Sequence, residues 1–281
     1  KHRAKLRGSK TGSDALDSEL QNRPVVPSEI FLTKTGNIFP VADLEARRRT
    51  LIDTDSVTHI EKKVELYYDA KSNYNGVDYS IDLQNKLQNI NSHPWTESSK
   101  EGCVVIYELL QLINKKVPEG AYIIGHDPYA TDVDSPGASF AATYVMKTTK
   151  HFDKIGHNEI VAQYVARPHH GRHIYNENLL KLSLMYGNAK VFFENVRGNV
   201  KEYFESKKKL HLLAKAPQTL FNKKAVYDTN APINYGFPMS GAKMKQESVQ
   251  YLRDWLLEER ERLEDGTVIR NLDRIWDKAL L

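Results

Sequence analysis

The sequence predicts an α/β protein: a mixed sheet, made of a three-strand antiparallel meander plus parallel strands, flanked by helices. Three observations carry this. Apolar runs of strand length, "AYIIGHD", "SFAATYVMKT" and "EIVAQYVA", follow one another over residues 121–166 and suggest an antiparallel meander. A helical pattern, "NENLLKLSLMYGN", comes next, with Leu179, Leu182 and Met185 on one face and Gly187 as its stop. A short buried strand, "AKVFFEN", then follows, and a strand after a crossover helix most easily lies parallel to the first.

The remaining elements are read in chain order. Residues 1–27 are basic, polar and short of apolar side chains, which reads as a linker or tail. "PVADLEARRRTLID" reads as a short helix, and "KKVELYYDA" and "GVDYSIDL" alternate as two strands around the turn-rich "KSNYNG". "SSKEGCVVIYELLQLINKK" is expected to be a helix, with Ser98 or Ser99 as N-cap and Val104, Leu109, Leu110 and Ile113 as its stripe. "NVKEYFESKKK" reads as another helix. "QESVQYLRDWLLEERERLEDG" is expected to be one long amphipathic helix with Val249, Leu252, Leu256 and Leu263 on one side, and a final helix is expected from "NLDRIWDKALL".

Composition narrows the function classes. With 281 residues, 40% hydrophobic and 27% charged, the chain has ample core for one large domain or two small ones. No apolar run approaches the roughly 20 residues of a membrane span. The basic opening "KHRAKLRGSK" leads into no apolar segment, so a standard secretory signal is excluded. The first residue is Lys rather than Met, as in a fragment of a longer chain. The single cysteine, Cys103, allows no internal disulfide and reads as a small core residue in a reducing compartment. A formal net charge of +4 permits an anionic partner without requiring one.

Chemistry is expected where two strands end in an acid: Asp127 after "YIIGH" and Glu194 after "VFF". If the two strands are parallel neighbours, their carboxyl ends lie side by side, the edge at which open α/β sheets bind ligands. Adjacent carboxylates repel and call for a compensating cation. An all-oxygen ligand set favours Mg²⁺ or Mn²⁺ over zinc. Asp273 supplies a third carboxylate and Asp277 a reserve. Three such acids can hold two hard cations about 4 Å apart, a pair that clamps a phosphodiester and activates water.

Several stretches match a known family in order over residues 28–281. "IIGHDPYATDVDSPGASFAATYVM", "IVAQYVARP", "YNENLLKLSLMYGNAKVFFENVRGN", "INYGFPMSGAKMK" and "LDRIWDKALL" resemble the nuclease domain of the large terminase subunit of tailed double-stranded DNA phages. The resemblance implies a ribonuclease H-like fold over 28–281, with 1–27 as the remnant of a basic interdomain linker. It implies that Asp127, Glu194 and Asp273 are catalytic, metal-binding acids holding Mg²⁺ or Mn²⁺, two ions in all. In place of the double acid frequent in the family around Asp273, this chain has "LD". Lys243, in "GAKMK", falls near the scissile phosphate, and Asp132 or Asp134 falls where some members carry an auxiliary acid. The implied activity is endonucleolytic cleavage of a concatemeric viral genome during packaging. The implied partners are double-stranded DNA, the ATPase domain of the same full-length chain, the portal and the small terminase subunit. The implied location is the cytoplasm of an infected bacterium, with no membrane contact and no secretion. No G-x-x-x-x-G-K-[ST] motif is present, so the expectation is an isolated nuclease domain without its ATPase.

Residues 197–224 carry eight Lys or Arg against Glu202 and Glu205 and begin directly after a candidate metal acid, which fits a phosphate-backbone contact. Arg197 and Lys201 are the expected DNA-binding residues there, joined by Lys243 and Lys245. His169, His170 and His173 in "RPHHGRH" lack an obvious further zinc ligand, and "DVDSPG" lacks the closing Glu of a calcium loop. Two other readings stay open: a DNA-binding or portal-docking module with a silent site, and a resolvase- or transposase-like nuclease of the same fold.

Overall fold

Period-two alternation in some strands and continuous burial in others build one seven-stranded sheet. The computed structural model describes residues 38–53, 60–92, 94–130, 132, 139–148, 157–195, 197–216, 234–237, 239 and 242–281, with side chains from Lys245 onward in the last segment. The linker expected over 1–27 lies outside them, as do Asp134 and the side chain of Lys243. The chain divides into two compact units, Ile60–Gly241 and the flanking segments up to His59 and from Ala242 to Leu281.

In the unit Ile60–Gly241 the strands are β1 (Lys62–Tyr68), β2 (Val77–Ile81), β3 (Val104–Ile106), β4 (Tyr122–Asp127), β5 (Ala141–Lys147), β6 (Ile160–Ala166) and β7 (Lys190–Phe193). Their order is β2-β1-β3-β6-β5-β4-β7. Strands β4, β5 and β6 form the antiparallel meander, and β7 lies parallel to β4. A mixed α/β sheet of the ribonuclease H-like kind results, extended at the β6 edge by β3, β1 and β2. Beyond β7 the parallel order continues as two isolated bridges, Val191 with Leu213 and Glu194 with Phe237.

Helix α2 (Arg172–Met185) is the crossover between β6 and β7. Leu179, Leu182 and Met185 are fully buried, as their spacing predicts. Each contributes about 1.5–3 kcal/mol through burial, and Leu182→Ala should cost about 2–5 kcal/mol. Gly187 ends the helix at φ 71°, and a Cβ there would meet the Pro118 carbonyl oxygen at 2.9 Å. Helix α3 (Val200–Ser206) buries Val200 and Phe204.

One expected helix is a strand. Within 98–116 the chain forms β3 and irregular loop, because Val104, Val105 and Ile106 are buried between β1 and β6. β-branched side chains fit that doubly covered position. Gly102 passes so close to β6 that a Cβ would meet the Val165 carbonyl oxygen at 1.8 Å. Leu109 and Ile113, from the expected stripe, are exposed. Cys103 is partly buried, and burial pushes its thiol up to about 12, consistent with an inert residue.

The other unit holds α1 (Val41–Asp53), α4 (Ala242–Leu257) and a hairpin of β8 (Glu259–Arg262) and β9 (Val268–Arg270). The long helix expected through residue 266 therefore stops at Leu257. Asp265-Gly266 makes the turn, with Gly266 at φ 84° and the Asp265 carboxylate accepting from Thr267 N at 2.8 Å. The expected final helix is a 3₁₀ turn, Asn271–Arg274, after which Ile275 is extended. Leu256, Leu272 and Ile275 form this unit's small core with Phe39, Leu44 and Trp255 against it.

Candidate metal and nucleic-acid site

Strand β4 alternates strictly: Tyr122, Ile124 and His126 face inward, while Ile123, Gly125 and Asp127 face out. Its parallel register with β7 pairs His126 with Phe193, and Glu194 N donates to the His126 carbonyl at 3.2 Å. Asp127 and Glu194 are thereby brought together at the carboxyl ends of neighbouring strands. Burial and the Glu194 carboxylate, to which the Asp127 carboxyl hydrogen-bonds, raise the Asp127 pKa, and the Arg197 guanidinium pulls it back.

The segments leaving these two strands are locked to each other. Gly198 sits at φ 86°, where a Cβ would meet Pro128 Cβ at 2.3 Å, so only glycine lets the chain after Glu194 cross the chain after Asp127. Buried Asn176 of α2 donates to the Gly198 carbonyl at 3.3 Å.

Beneath Asp127, on the inner face, lies a polar chain that the sequence does not announce. Tyr175 OH donates to the Tyr164 carbonyl at 2.6 Å and lies 2.8 Å from Thr143 Oγ1, which lies 2.9 Å from His126 Nδ1. With Tyr175 committed as donor to the carbonyl, Thr143 donates to Tyr175 and accepts from His126. This makes Nδ1 the protonated nitrogen. His126 Nε2 is buried without a partner among the described residues, and burial lowers the ring's pKa to about 3. His126 is a neutral strut that stacks on Tyr175.

The other named acids have cationic or backbone partners. Asp132 accepts from Arg172 N at 2.9 Å and pairs with Arg172 Nε at 3.1 Å, holding the first residue of α2. In the other unit, Asp273 accepts from Arg270 N at 2.9 Å, and Arg270 Nη1 donates to buried Asp43 at 2.7 Å. Asp277 is buried and accepts from Ala279 N at 2.8 Å. Lys245 is exposed on α4. Among the described residues no three His, Cys, Asp or Glu side chains gather into a metal-holding group, the histidines of "RPHHGRH" included. The pair Asp127–Glu194 is what the structure brings together. Arg172, Arg270 and Asp43 were not singled out in the sequence, because nothing local marks an arginine as the partner of a distant acid.

Beside Glu194 opens a polar cleft of about 280 Å³, lined by Asn195, Arg197, Asn199, Lys201, Asn234 and Tyr235 among others. The Asn195 amide donates to the Tyr235 carbonyl at 3.0 Å, and Phe237 N donates to the Phe193 carbonyl at 2.7 Å. The segment 234–237 thus runs alongside the end of β7.

Its structural neighbours include large terminase nucleases. The nuclease of thermophilic phage G20c with bound magnesium is 13% identical, covering 66% of this chain and 89% of that one, with a TM-score of 0.34. The same phage nuclease solved without a named metal is 14% identical over 67% and 91%, with a TM-score of 0.33. Its cobalt-bound form is 12% identical over 67% and 90%, with a TM-score of 0.31. No family model matches the sequence, and no curated protein does. The fold assignment for this chain therefore stands on its strand order and register. No helix among the described residues is long and apolar enough to cross a membrane.

Proposed function

We propose that this chain is a metal-dependent endonuclease that hydrolyses the phosphodiester backbone of double-stranded DNA. The observation that carries the reading is the contact between Asp127 and Glu194, two carboxylates set side by side by parallel register, with Arg197 drawing the Asp127 pKa back down. Such a pair fits a hard dication, Mg²⁺ or Mn²⁺, because both donors are carboxylate oxygens. Bound there, the metal would supply an activated water and stabilise the departing oxyanion. The chain's own contribution is rigidity and charge. The Glu194–His126 backbone bond and the Gly198–Pro128 crossing hold the carboxylates at fixed separation. Arg197 and Lys201 hold the DNA backbone beside them.

The sequence resemblance extends the proposal. Asp273 is the third acid and two ions take part, with Lys243 and Lys245 on the DNA. The product carries a 5′-phosphate and a 3′-hydroxyl. The substrate is a concatemeric viral genome cut during packaging in the infected bacterial cytoplasm, with the ATPase domain, portal and small subunit as partners. Plasmid nicking with Mn²⁺ against EDTA tests the reading. Metal-stimulated cutting is expected, and its loss in Asp127→Ala. A wild-type protein that binds DNA but never cuts would instead mark a silent DNA-binding module. An Asp127→Ala protein that cuts as well as wild type removes the site.

A further inference from the structure

We propose that the cleft beside Glu194 is a subsite for one phosphodiester unit next to the cleaved bond, gripped by Arg197 and Lys201 and hydrogen-bonded by Asn199 and Asn234. The identity of the ligand rests on the nuclease reading above; the cleft itself does not. Its volume of about 280 Å³ is roughly nine times that of a water in the liquid, room for a phosphate and part of its sugar. Two cationic side chains line it against one acid, Glu202.

The asparagines of the lining can add amide donors. Asn199 stands at φ 52° and makes no side-chain hydrogen bond to α3, so its amide is not spent on capping the helix it precedes. Asn195, by contrast, is committed to the Tyr235 carbonyl. The backbone at 234 is fixed by Ala216 N, which donates to the Asn234 carbonyl at 2.8 Å. Cations and amide N–H groups suit a ligand whose edge offers only acceptors, as a phosphate does.

Continuity with the carboxylate pair selects a polymer over a lone anion. Asn195 and Arg197, the residues that follow Glu194 off β7, both line the cleft, and Arg197 also acts on the Asp127 carboxyl. A nucleic-acid strand carries one phosphate per residue, so one can sit at the pair while the next enters the cleft. Free inorganic phosphate engages only one of the two positions.

The test is binding of a short blunt DNA duplex in EDTA across a salt series, read by fluorescence anisotropy. Lys201→Gln should weaken binding several-fold and lower the slope of log K against log salt by about one. The double variant Asn199→Ala/Asn234→Ala should weaken binding by about fivefold or more with the slope unchanged. Lys116→Gln, in the loop before the amino end of β4, should change neither, and inorganic phosphate at constant ionic strength should compete only at millimolar levels or above. Wild-type affinity and slope in both cleft variants would overturn the subsite, as would an equal loss in Lys116→Gln. Effective competition by micromolar phosphate would make the cleft a free-anion site instead and overturn the strand reading. Because no cleavage is read, failure of the nuclease reading shows separately, in the nicking assay.

Discussion

Two pairs of acids in this molecule are handled in opposite ways. Asp43 and Asp273 both reach Arg270, whose guanidinium is nearly buried and donates to each. Asp127 and Glu194 reach each other, with Arg197 acting only as a counter-charge at the exposed side. In the first arrangement both acids are hydrogen-bonded to one guanidinium. The second leaves a carboxyl whose ionisation is resisted, which is the condition under which an added cation is bound rather than merely tolerated. The difference separates acids already hydrogen-bonded to a guanidinium from acids left to share their charge with each other.

The contrast breaks first on activity. Glu194→Ala should lower Mn²⁺-stimulated nicking by roughly a hundredfold to a thousandfold, with far-ultraviolet circular dichroism unchanged. Asp273→Asn is the informative companion. Equal loss would make Asp273 a member of the reaction despite its bond to Arg270, whereas retained nicking with lowered stability would leave it a capping residue.

On stability the order reverses. Arg270→Met leaves buried Asp43 without its cation and should cost about 3 kcal/mol in urea unfolding. A loss below about 0.5 kcal/mol would show that other contacts of Asp43 suffice to hold it.

A third prediction concerns His126, next to Asp127 in sequence but on the opposite face. Its pKa is lowered to about 3, so between pH 6.5 and that value the unfolded chain takes up a proton the folded one refuses. Stability from this residue is complete above pH 6.5 and falls as pH drops, by about 1.4 kcal/mol per unit and about 2 kcal/mol by pH 5. His126→Gln, which can still donate to Thr143, should show a flatter acid limb, and an unchanged limb would show that His126 is not the group responsible.

The smallest effect is expected from Asp127→Asn without metal. The Asp127 pKa is raised above 3.8, so its stabilising contribution is present below that value and lost as pH rises through the folded pKa. The variant should therefore melt higher than wild type at neutral pH, and the gain should shrink as pH falls below the folded pKa. A lower melting point at neutral pH would mean that Arg197 already satisfies Asp127.

How far these features were legible follows from the range of the forces that make them. The meander and its crossover could be read, because period-two burial and the stripe of Leu179, Leu182 and Met185 are written within single segments. Strand β3 could not: Val104–Ile106 fits a helix stripe as well as a buried strand, and only its neighbours β1 and β6 decide. The hairpin after α4 was legible in "EDG", but a continuing apolar spacing through Leu263 masked it.

At the site, residue type and spacing were enough to select Asp127 and Glu194, since an acid closing an apolar strand is a local pattern. Their adjacency followed once β4 and β7 were read as parallel neighbours, but the Gly198–Pro128 crossing, the His126–Thr143–Tyr175 chain and the bounds of the cleft were not in the sequence. Each joins residues from different elements, and sequence patterns report which face a side chain takes, not what it meets there. The sequence by itself determined the meander, its crossover helix and the acids that end β4 and follow β7. The tertiary structure decided which acids are left to compensate one another, because charge pairing is settled by distances of a few ångströms that only packing sets.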